Sequence, residues 1–189
     1  AKNKPKYLNT TWYKNDGSIN YPEMEHIIND QIAGGTDAVI VCGTTGETAT
    51  MTYDEHIETI RACVQMTAGR IPVIAGTGSN CTKSAVKLSV AAERAGADGL
   101  LVVSPYYNKA TQNGIKAHYK QIAAAVDLPI LMYNIKGRTG VNIVPRTIWC
   151  RRFLILWVSK KHPEICHRLP TLWHVVTERL ICIPEMMIR

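Results

Sequence analysis

Three common residue types are missing from the end of this chain. In its 189 residues the last glycine is Gly140, the last aspartate is Asp127 and the last alanine is Ala125. Glycine and alanine are among the commonest residues of folded domains, so their joint absence after residue 148 argues against a natural domain there. The same 41 residues hold three of the four tryptophans and the only phenylalanine. We therefore divide the chain into a predicted folded domain, 1–148, and a tail of foreign composition, 149–189.

The sequence also lacks the marks of a membrane protein and of a metal site. No apolar run approaches the roughly 18 residues of a membrane span, and the lysine-rich start is not followed by an apolar segment. The six cysteines form no Cys-x-x-Cys pair and no close spacing with histidine. These absences predict a cytoplasmic protein with free thiols and no bound metal.

The net charge of +7 could suggest a nucleic-acid partner, but the charges are not arranged for one. Residues 1–148 hold fifteen Lys and Arg against twelve Asp and Glu, whereas the tail holds seven against three. No basic run exceeds two residues, and no aromatic residues are interleaved with basic ones in the manner that stacks bases. We expect no nucleic-acid binding.

What the first part contains is a regular alternation of apolar β-branched runs and amphipathic segments. The short runs predict buried parallel strands at about 37–42, 71–76, 99–104 and 128–133. Between them, apolar residues at three- and four-residue spacing predict helices over about 24–32, 57–66, 85–92 and 115–126. Thr82 is a candidate N-cap for the third helix, and Asp54 and Glu55 place negative charge in the first turn of the second.

A (β/α)8 barrel and a doubly wound sheet both show this alternation, and the residues that follow each strand distinguish the two folds. All four predicted strands are followed by polar motifs, as in barrel enzymes, whose sites lie at the carboxyl ends of the strands. Gly76-Thr77-Gly78 could be half of a dinucleotide-binding fingerprint, but its third glycine is missing. We therefore predict an α/β fold, the first four to five βα units of a (β/α)8 TIM barrel.

The motifs after the strands carry a family resemblance. They are Gly43-Thr44-Thr45-Gly46-Glu47, Ser104-Pro105-Tyr106-Tyr107-Asn108, and Tyr133-Asn134 followed by Arg138-Thr139-Gly140. In this order and spacing, over about 16–148, they closely resemble the dihydrodipicolinate synthase family of class I aldolases. The resemblance implies a (β/α)8 barrel that condenses pyruvate with aspartate semialdehyde in lysine and diaminopimelate biosynthesis, through a lysine Schiff base and without a cofactor. It also implies a homotetramer, with Tyr107 reaching across a dimer interface.

The same resemblance implies roles for five residues. Thr44, Tyr107 and Tyr133 would form a catalytic hydroxyl relay that moves protons to and from the imine, a task that suits groups able both to donate and to accept hydrogen bonds. Thr45 would hold the pyruvate carboxylate. Arg138 would bind the carboxylate of the semialdehyde, as a planar bidentate donor can.

Some positions bear on the choice among relatives. Arg138 favours the synthases over the similar N-acetylneuraminate lyases, which usually lack an arginine there; that lyase, or another pyruvate-dependent aldolase, is the alternative. Lys136 stands where the family usually has proline. Of the residues that mediate lysine feedback in the family, His56 and Asn80 match, whereas Tyr53 and Ser84 replace a histidine and an acidic residue.

The Schiff-base lysine of the family is missing from its expected place. The family continues with Ile-Pro-Asn-Ile-Val-Gly-Val-Lys-Glu-Ala-Ser-Gly-Asp, and nothing after Ile148 matches it. When suitable codons are chosen for Arg152 to Glu164 and read from the third base, continuing into the first two bases of Ile165, they encode that string entire. The family lysine codon then lies across Ser159 and Lys160. The tail is therefore predicted to be out of frame, and we expect residues 149–189 to pack poorly and to lack the regular βα continuation.

Loss of that lysine predicts a catalytically inactive chain. Two other possibilities stay open: a non-catalytic fragment that still binds pyruvate, and an aldolase that has recruited Lys160 or Lys161.

Overall fold

The computed structural model describes residues 7–9, 13–144 and 153–157, with side chains described for 13–144. The strands are β1 Tyr7–Asn9, β2 Ala38–Val41, β3 Val73–Gly76, β4 Gly99–Val103, β5 Ile130–Asn134 and β6 Phe153–Trp157. The helices are α1 Tyr21–Ala33, α2 Tyr53–Thr67, α3 Thr82–Arg94, α4 Gln112–Ala125 and the short α5 Lys136–Thr139. The four strands and four helices predicted from the sequence are confirmed, with ends displaced by a few residues.

The strands form one parallel sheet in the order β1-β2-β3-β4-β5-β6. One face of the sheet contributes Val39, Val73, Leu100 and Met132 to the large core cluster that contains the buried residues of α1 to α4. The other face forms a separate cluster of Ala38, Ile40, Ile74, Leu101 and Leu131. Helices on one face and a strand order without reversal are the arrangement of a curling barrel wall, because a doubly wound sheet carries helices on both faces and reverses its order.

The helix ends show which local signals guided folding. Thr52 caps α2 in a complete capping box with Glu55, and Asp54 and Glu55 lie in its first turn as predicted. The prediction for α3 is wrong: its N-cap is Cys81, and Thr82 is already the first helical residue. The Thr82 hydroxyl instead lies 2.9 Å from Nδ1 of the buried His118 on α4. A tertiary hydrogen bond therefore replaces the predicted cap.

Strand β6 lies inside the segment that we expected to lack a regular continuation. Phe153–Trp157 pairs with β5 in parallel, with Phe153 opposite Ile130 and Trp157 opposite Asn134. The expectation is therefore wrong for these five residues, since Phe-Leu-Ile-Leu-Trp is an apolar run of strong strand formers that satisfies the open edge of β5. The predicted boundary at 148 and the rest of 149–189 lie outside the described residues.

The described residues also bear on the predictions about membrane spans, metal sites and cysteines. None of the helices in residues 13–144 is long and apolar enough to cross a membrane. In the same range, no group of three or more metal-ligating side chains comes together. Cys42, Cys63 and Cys81 are free thiols; the other cysteines lie outside the described residues.

Candidate functional site at the carboxyl edge of the sheet

The strand register places the predicted site residues at one end of the sheet. Val41 pairs with Ala75, Ala75 with Leu100, and Leu100 with Ile130, so Val41 and Ile130 lie at the same level. Thr44 follows Val41 by three residues and Tyr133 follows Ile130 by three. Both therefore lie at the carboxyl edge, where the sites of barrel enzymes are built.

The loop after β2 exposes Thr44 and Thr45 to solvent, and surrounding contacts fix the conformation of this loop. Thr44 and Thr45 begin a 3₁₀ turn, Thr44–Gly46, and both are exposed. The turn is bracketed by left-handed backbone at Cys42, with φ of 55°, and at Glu47, with φ of 54°. The Thr48 hydroxyl lies 2.7 Å from the carbonyl oxygens of both Cys42 and Gly43. Two non-glycine residues in the left-handed region indicate a conformation imposed by the surrounding contacts.

The two tyrosines of the predicted relay occupy different environments. Tyr133 is half-buried and packs against the Ala38, Ile40, Ile74, Leu101 and Leu131 cluster, so its ring lies on the inner face of the sheet. Tyr107 follows β4 in a turn with a φ of 71° and is 91% exposed. Within residues 13–144 the structure therefore brings Thr44, Thr45 and Tyr133 to the same edge but does not pack Tyr107 among them.

Arg138 is carried by α5, immediately after β5, and is exposed. The loop that carries Arg138 is held by hydrogen bonds from residues for which the sequence predicted no role. Asn134, only 2% exposed, donates from Nδ2 to Asn142 Oδ1 at 2.9 Å and accepts from the Ile143 amide at 3.0 Å. Gln112 donates to the Asn142 carbonyl at 2.8 Å and accepts from the Val144 amide at 3.0 Å. The sequence signal that could have identified Asn134 is its position directly after Tyr133 in the motif.

The loop after β3 approaches its neighbours closely because of its glycines. A Cβ on Gly76 would overlap the Cys42 carbonyl group, and a Cβ on Gly78 would lie 2.7 Å from Val103 Cγ1. These glycines therefore serve close packing between adjacent strand ends, and not the approach of a pyrophosphate. The dinucleotide interpretation has no support in this geometry.

His56 and the buried thiols near this edge are not placed for chemistry. His56 is 5% exposed, and its Nε2 lies 2.7 Å from the Gly76 carbonyl oxygen, so Nε2 carries a hydrogen that it donates. Burial lowers the pKa of His56 and keeps the ring neutral. Burial also raises the pKa of the Cys42 thiol and raises that of Cys63 to about 12, so neither is a nucleophile at neutral pH.

The comparisons with known proteins agree with this architecture. The model of the dihydrodipicolinate synthetase family matches residues 7–150. A 4-hydroxy-tetrahydrodipicolinate synthase of Lachnoclostridium phytofermentans is 53% identical over 137 residues, which cover 72% of this chain and 47% of that protein. The enzyme of the same name from Clostridium novyi is 53% identical over 133 residues, 70% of this chain and 45% of that protein. The chain thus spans about half the length of the curated relatives that it matches.

Solved structures show the same partial correspondence. Dihydrodipicolinate synthase from Aquifex aeolicus matches with a TM-score of 0.79 at 42% identity, over 83% of this chain and 56% of that one. The enzyme from Thermotoga maritima matches with a TM-score of 0.73 at 43% identity, over 76% and 48%. The prediction of a partial TIM barrel is thereby confirmed, and by its matched residues, its strand order and these relatives the chain belongs to the dihydrodipicolinate synthetase family.

Proposed function

We propose that this chain carries half of a dihydrodipicolinate synthase-type active site and does not itself condense pyruvate with aspartate semialdehyde. The observation that carries the proposal is that the loop of Thr44 and the strand end that carries Tyr133 lie at the same carboxyl edge, next to a strand β6 whose residues, Phe153–Trp157, include no lysine. The reaction class needs an amine that attacks the pyruvate ketone, and this chain offers none on the strand beside Tyr133.

Each retained group has a definable task. The hydroxyls of Tyr133, on the inner face, and of Thr44, in the exposed turn, can each both donate and accept a hydrogen bond, as a proton relay requires. Tyr107, the third member of the relay, is too exposed to take part within one chain, which supports a role in which it reaches the site of a second copy. Thr45 binds the pyruvate carboxylate, and the Arg138 guanidinium binds the carboxylate of the aldehyde.

A shifted reading frame would account for the missing lysine. Codons can be chosen for residues 152–165 that, read from the third base, encode the family string with its lysine, whereas Lys160 and Lys161 arise in the frame of this chain. Residues 149–189 are therefore a tail that was not selected for this site. The proposal assigns the chain the fold and carboxylate-binding groups of the family without its nucleophile.

A second candidate is a fragment that binds pyruvate without turning it over. It is favoured by the Thr44–Gly46 turn, whose threonines are exposed and which the Thr48 hydroxyl holds through the Cys42 and Gly43 carbonyl oxygens. Calorimetric titration with pyruvate tests it. The chain should bind weakly, and Thr45→Val should weaken binding about fivefold because it removes one hydrogen bond to a charged group. Thr50→Val is a matched exposed change outside the Thr44–Gly46 turn, where the hydroxyl donates to the Glu47 carbonyl, and it should have no effect. Absence of heat, or equal binding by Thr45→Val, contradicts this candidate.

A third candidate, an aldolase that uses Lys160 or Lys161, is favoured by β6 itself. Because β6 runs parallel to β5, the chain leaves Trp157 at the same edge as Tyr133. Borohydride reduction in the presence of pyruvate decides between this candidate and the inactive chain. A pyruvyl adduct on either lysine, located by peptide mass spectrometry, would establish a recruited nucleophile; an unmodified protein supports the proposal above.

A further inference from the structure

Two side-chain amides, from Asn134 and Gln112, hold the far end of the loop that carries Arg138. At its start, the buried Asn134 closes β5 and reaches forward to Asn142 and to the Ile143 amide, at 2.9 and 3.0 Å. At its end, Gln112, the first residue of α4, bonds the Asn142 carbonyl and the Val144 amide, at 2.8 and 3.0 Å. Four hydrogen bonds therefore fix residues 142–144 against the ends of β5 and α4.

Within the loop, Thr139 closes the short helix. Its hydroxyl lies 2.9 Å from the Ile135 carbonyl oxygen and 3.0 Å from the Val141 carbonyl oxygen, and it accepts a hydrogen bond from the Val141 amide. The Arg138 amide donates to the Ile135 carbonyl. The backbone beneath Arg138 is thus a closed turn, although Lys136 stands where a stiffening proline is usual in the family. The side-chain bonds perform the restraint that a proline ring would supply.

Arg138 itself has few local restraints. Its side chain is exposed, and among residues 13–144 no carboxylate forms an ion pair with it. An exposed arginine loses considerable rotational freedom when it binds a ligand, so its usefulness depends on a fixed backbone that aims it. Asn134 is the one member of the clamp that is both buried and directly continuous with the strand that carries Tyr133.

We propose that Asn134 is a positioning residue for Arg138: by clamping residues 142–143 to the end of β5, it holds the guanidinium where it can meet the carboxylate of a short oxo acid. This inference rests on the proposed function, in which Arg138 binds that carboxylate. Asn134 touches no substrate; it acts through the loop.

The test measures binding of a stable probe to the chain as it exists. The probe is 4-hydroxybutanoate, in which three methylene groups separate the hydroxyl from the carboxylate and which forms no imine with lysine; butane-1,4-diol, without the carboxylate, is the control ligand. Titrations are followed by the chemical shifts of the backbone amides of residues 135–144. Arg138→Ala should weaken 4-hydroxybutanoate binding about tenfold, and Asn134→Ala about fivefold. Asn113→Ala, the same change at an exposed amide on α4, should bind like the parent chain.

A double variant separates positioning from general loosening. If Asn134 acts through Arg138, adding Asn134→Ala to Arg138→Ala should weaken binding no further, whereas independent effects would multiply. Exchange of the Ile143 amide should accelerate in Asn134→Ala, because its acceptor is gone, while the amides of α1 to α3 keep their protection. Where Asn134→Ala fails to fold, Gln112→Ala removes the other pair of hydrogen bonds to residues 142–144 and should show the same non-additivity with Arg138→Ala.

The outcomes distinguish the two proposals. If the probe does not bind, or if Arg138→Ala binds it as well as the parent chain does, the proposed role of Arg138 fails, and the positioning role with it. If Arg138→Ala weakens binding but Asn134→Ala and Gln112→Ala do not, only the positioning role is overturned. Multiplicative losses in the double variant overturn it as well.

Discussion

Single residues at the carboxyl edge divide into those that the sequence motifs identify and those that only packing identifies. Thr44 and Tyr133 stand out in the sequence because polar residues follow buried strands, and the structure places both at the carboxyl edge. Asn134 belongs to the same motif as Tyr133, but its bonds and those of Gln112 could not be predicted, because a side-chain amide gives no sign in the sequence of which groups it will meet 8 or 32 residues away. Tertiary hydrogen bonds of this kind depend on how the helices pack, which local patterns do not encode.

The glycine at the end of β3 provides a steric test. Gly76→Ala would push a methyl group into the Cys42 carbonyl, so we expect it to lower the free energy of unfolding by about 2–3 kcal/mol. Gly137→Ala is the matched control, since Gly137 is exposed and a Cβ there meets nothing within 4 Å. Urea unfolding followed by circular dichroism gives both values. Equal midpoints for the two variants would show that the strand ends can separate without cost.

The buried histidines predict a dependence of stability on pH. Burial lowers the pKa of His56 and of His118 from 6.5, so the unfolded chain binds protons that the folded chain excludes. The stabilisation is complete above about pH 6.5 and declines as the pH falls towards the folded pKa values. Unfolding in urea at pH 7.5, 6.5 and 5.5 should show this decline. His56→Gln keeps a donor for the Gly76 carbonyl and should flatten the slope; an unchanged slope would exclude His56 as a source.

At the scale of whole elements, periodicity predicted β2 to β5 and α1 to α4, because each buries an apolar face whose spacing is visible in the sequence. The same reasoning missed β6. No strand was expected in an out-of-frame tail, yet pairing requires only strand-forming side chains and a free neighbouring strand. The N-terminus of α3 was misplaced by one residue for a different reason, since the Thr82 hydroxyl is engaged by His118.

The capping box of α2 should contribute measurably to stability. The Glu55 amide donates to the Thr52 hydroxyl, and the Thr52 amide donates to the Glu55 carboxylate at 2.8 Å. Thr52→Ala removes the side-chain acceptor and should lower the free energy of unfolding by about 1 kcal/mol, whereas Thr52→Ser, which keeps it, should lie within about 0.3 kcal/mol of the parent chain. The difference in urea midpoint between these two variants is the measurement, and a smaller loss for alanine than for serine contradicts the cap.

The parallel pairing of β6 also has a measurable consequence. Amides of Phe153–Trp157 that donate across the ladder should exchange slowly with deuterium, in contrast to our expectation from composition. Ile155→Pro removes a backbone donor from the strand and should speed exchange there and at the facing residues of β5. Rapid exchange throughout 153–157 in the unmodified chain would show that the strand does not persist in solution.

At the scale of the whole molecule, activity depends on how much of the family fold this chain contains. Within the described residues, six parallel strands with helices on one face form part of a barrel wall, and the chain spans about half of its curated relatives. The fold could be predicted from the sequence because it depends on repeated local units. The activity that we propose to be lost depends on one amine at one place, and the sequence predicts that the frame encoding it is not the one translated here.

Restoring the reading frame after residue 148 should therefore restore the nucleophile and, with it, turnover, provided that the corrected gene encodes the rest of the barrel. Imine formation requires a neutral amine within bonding reach of the ketone, and positioning together with activation contributes several kcal/mol, on the order of 7–11 kcal/mol for positioning alone in well-oriented systems. Lys160 and Lys161, on a segment that was not selected for this geometry, should not supply it.

The comparison is a coupled assay of this chain and of the frame-corrected chain at equal concentration, with borohydride trapping of pyruvate on both. The corrected chain should turn over and form a pyruvyl adduct on the restored lysine; this chain should do neither. A tenfold difference in rate corresponds to only about 1.4 kcal/mol of activation free energy. Turnover by this chain within about tenfold of the corrected one would therefore show that the lost lysine is not essential.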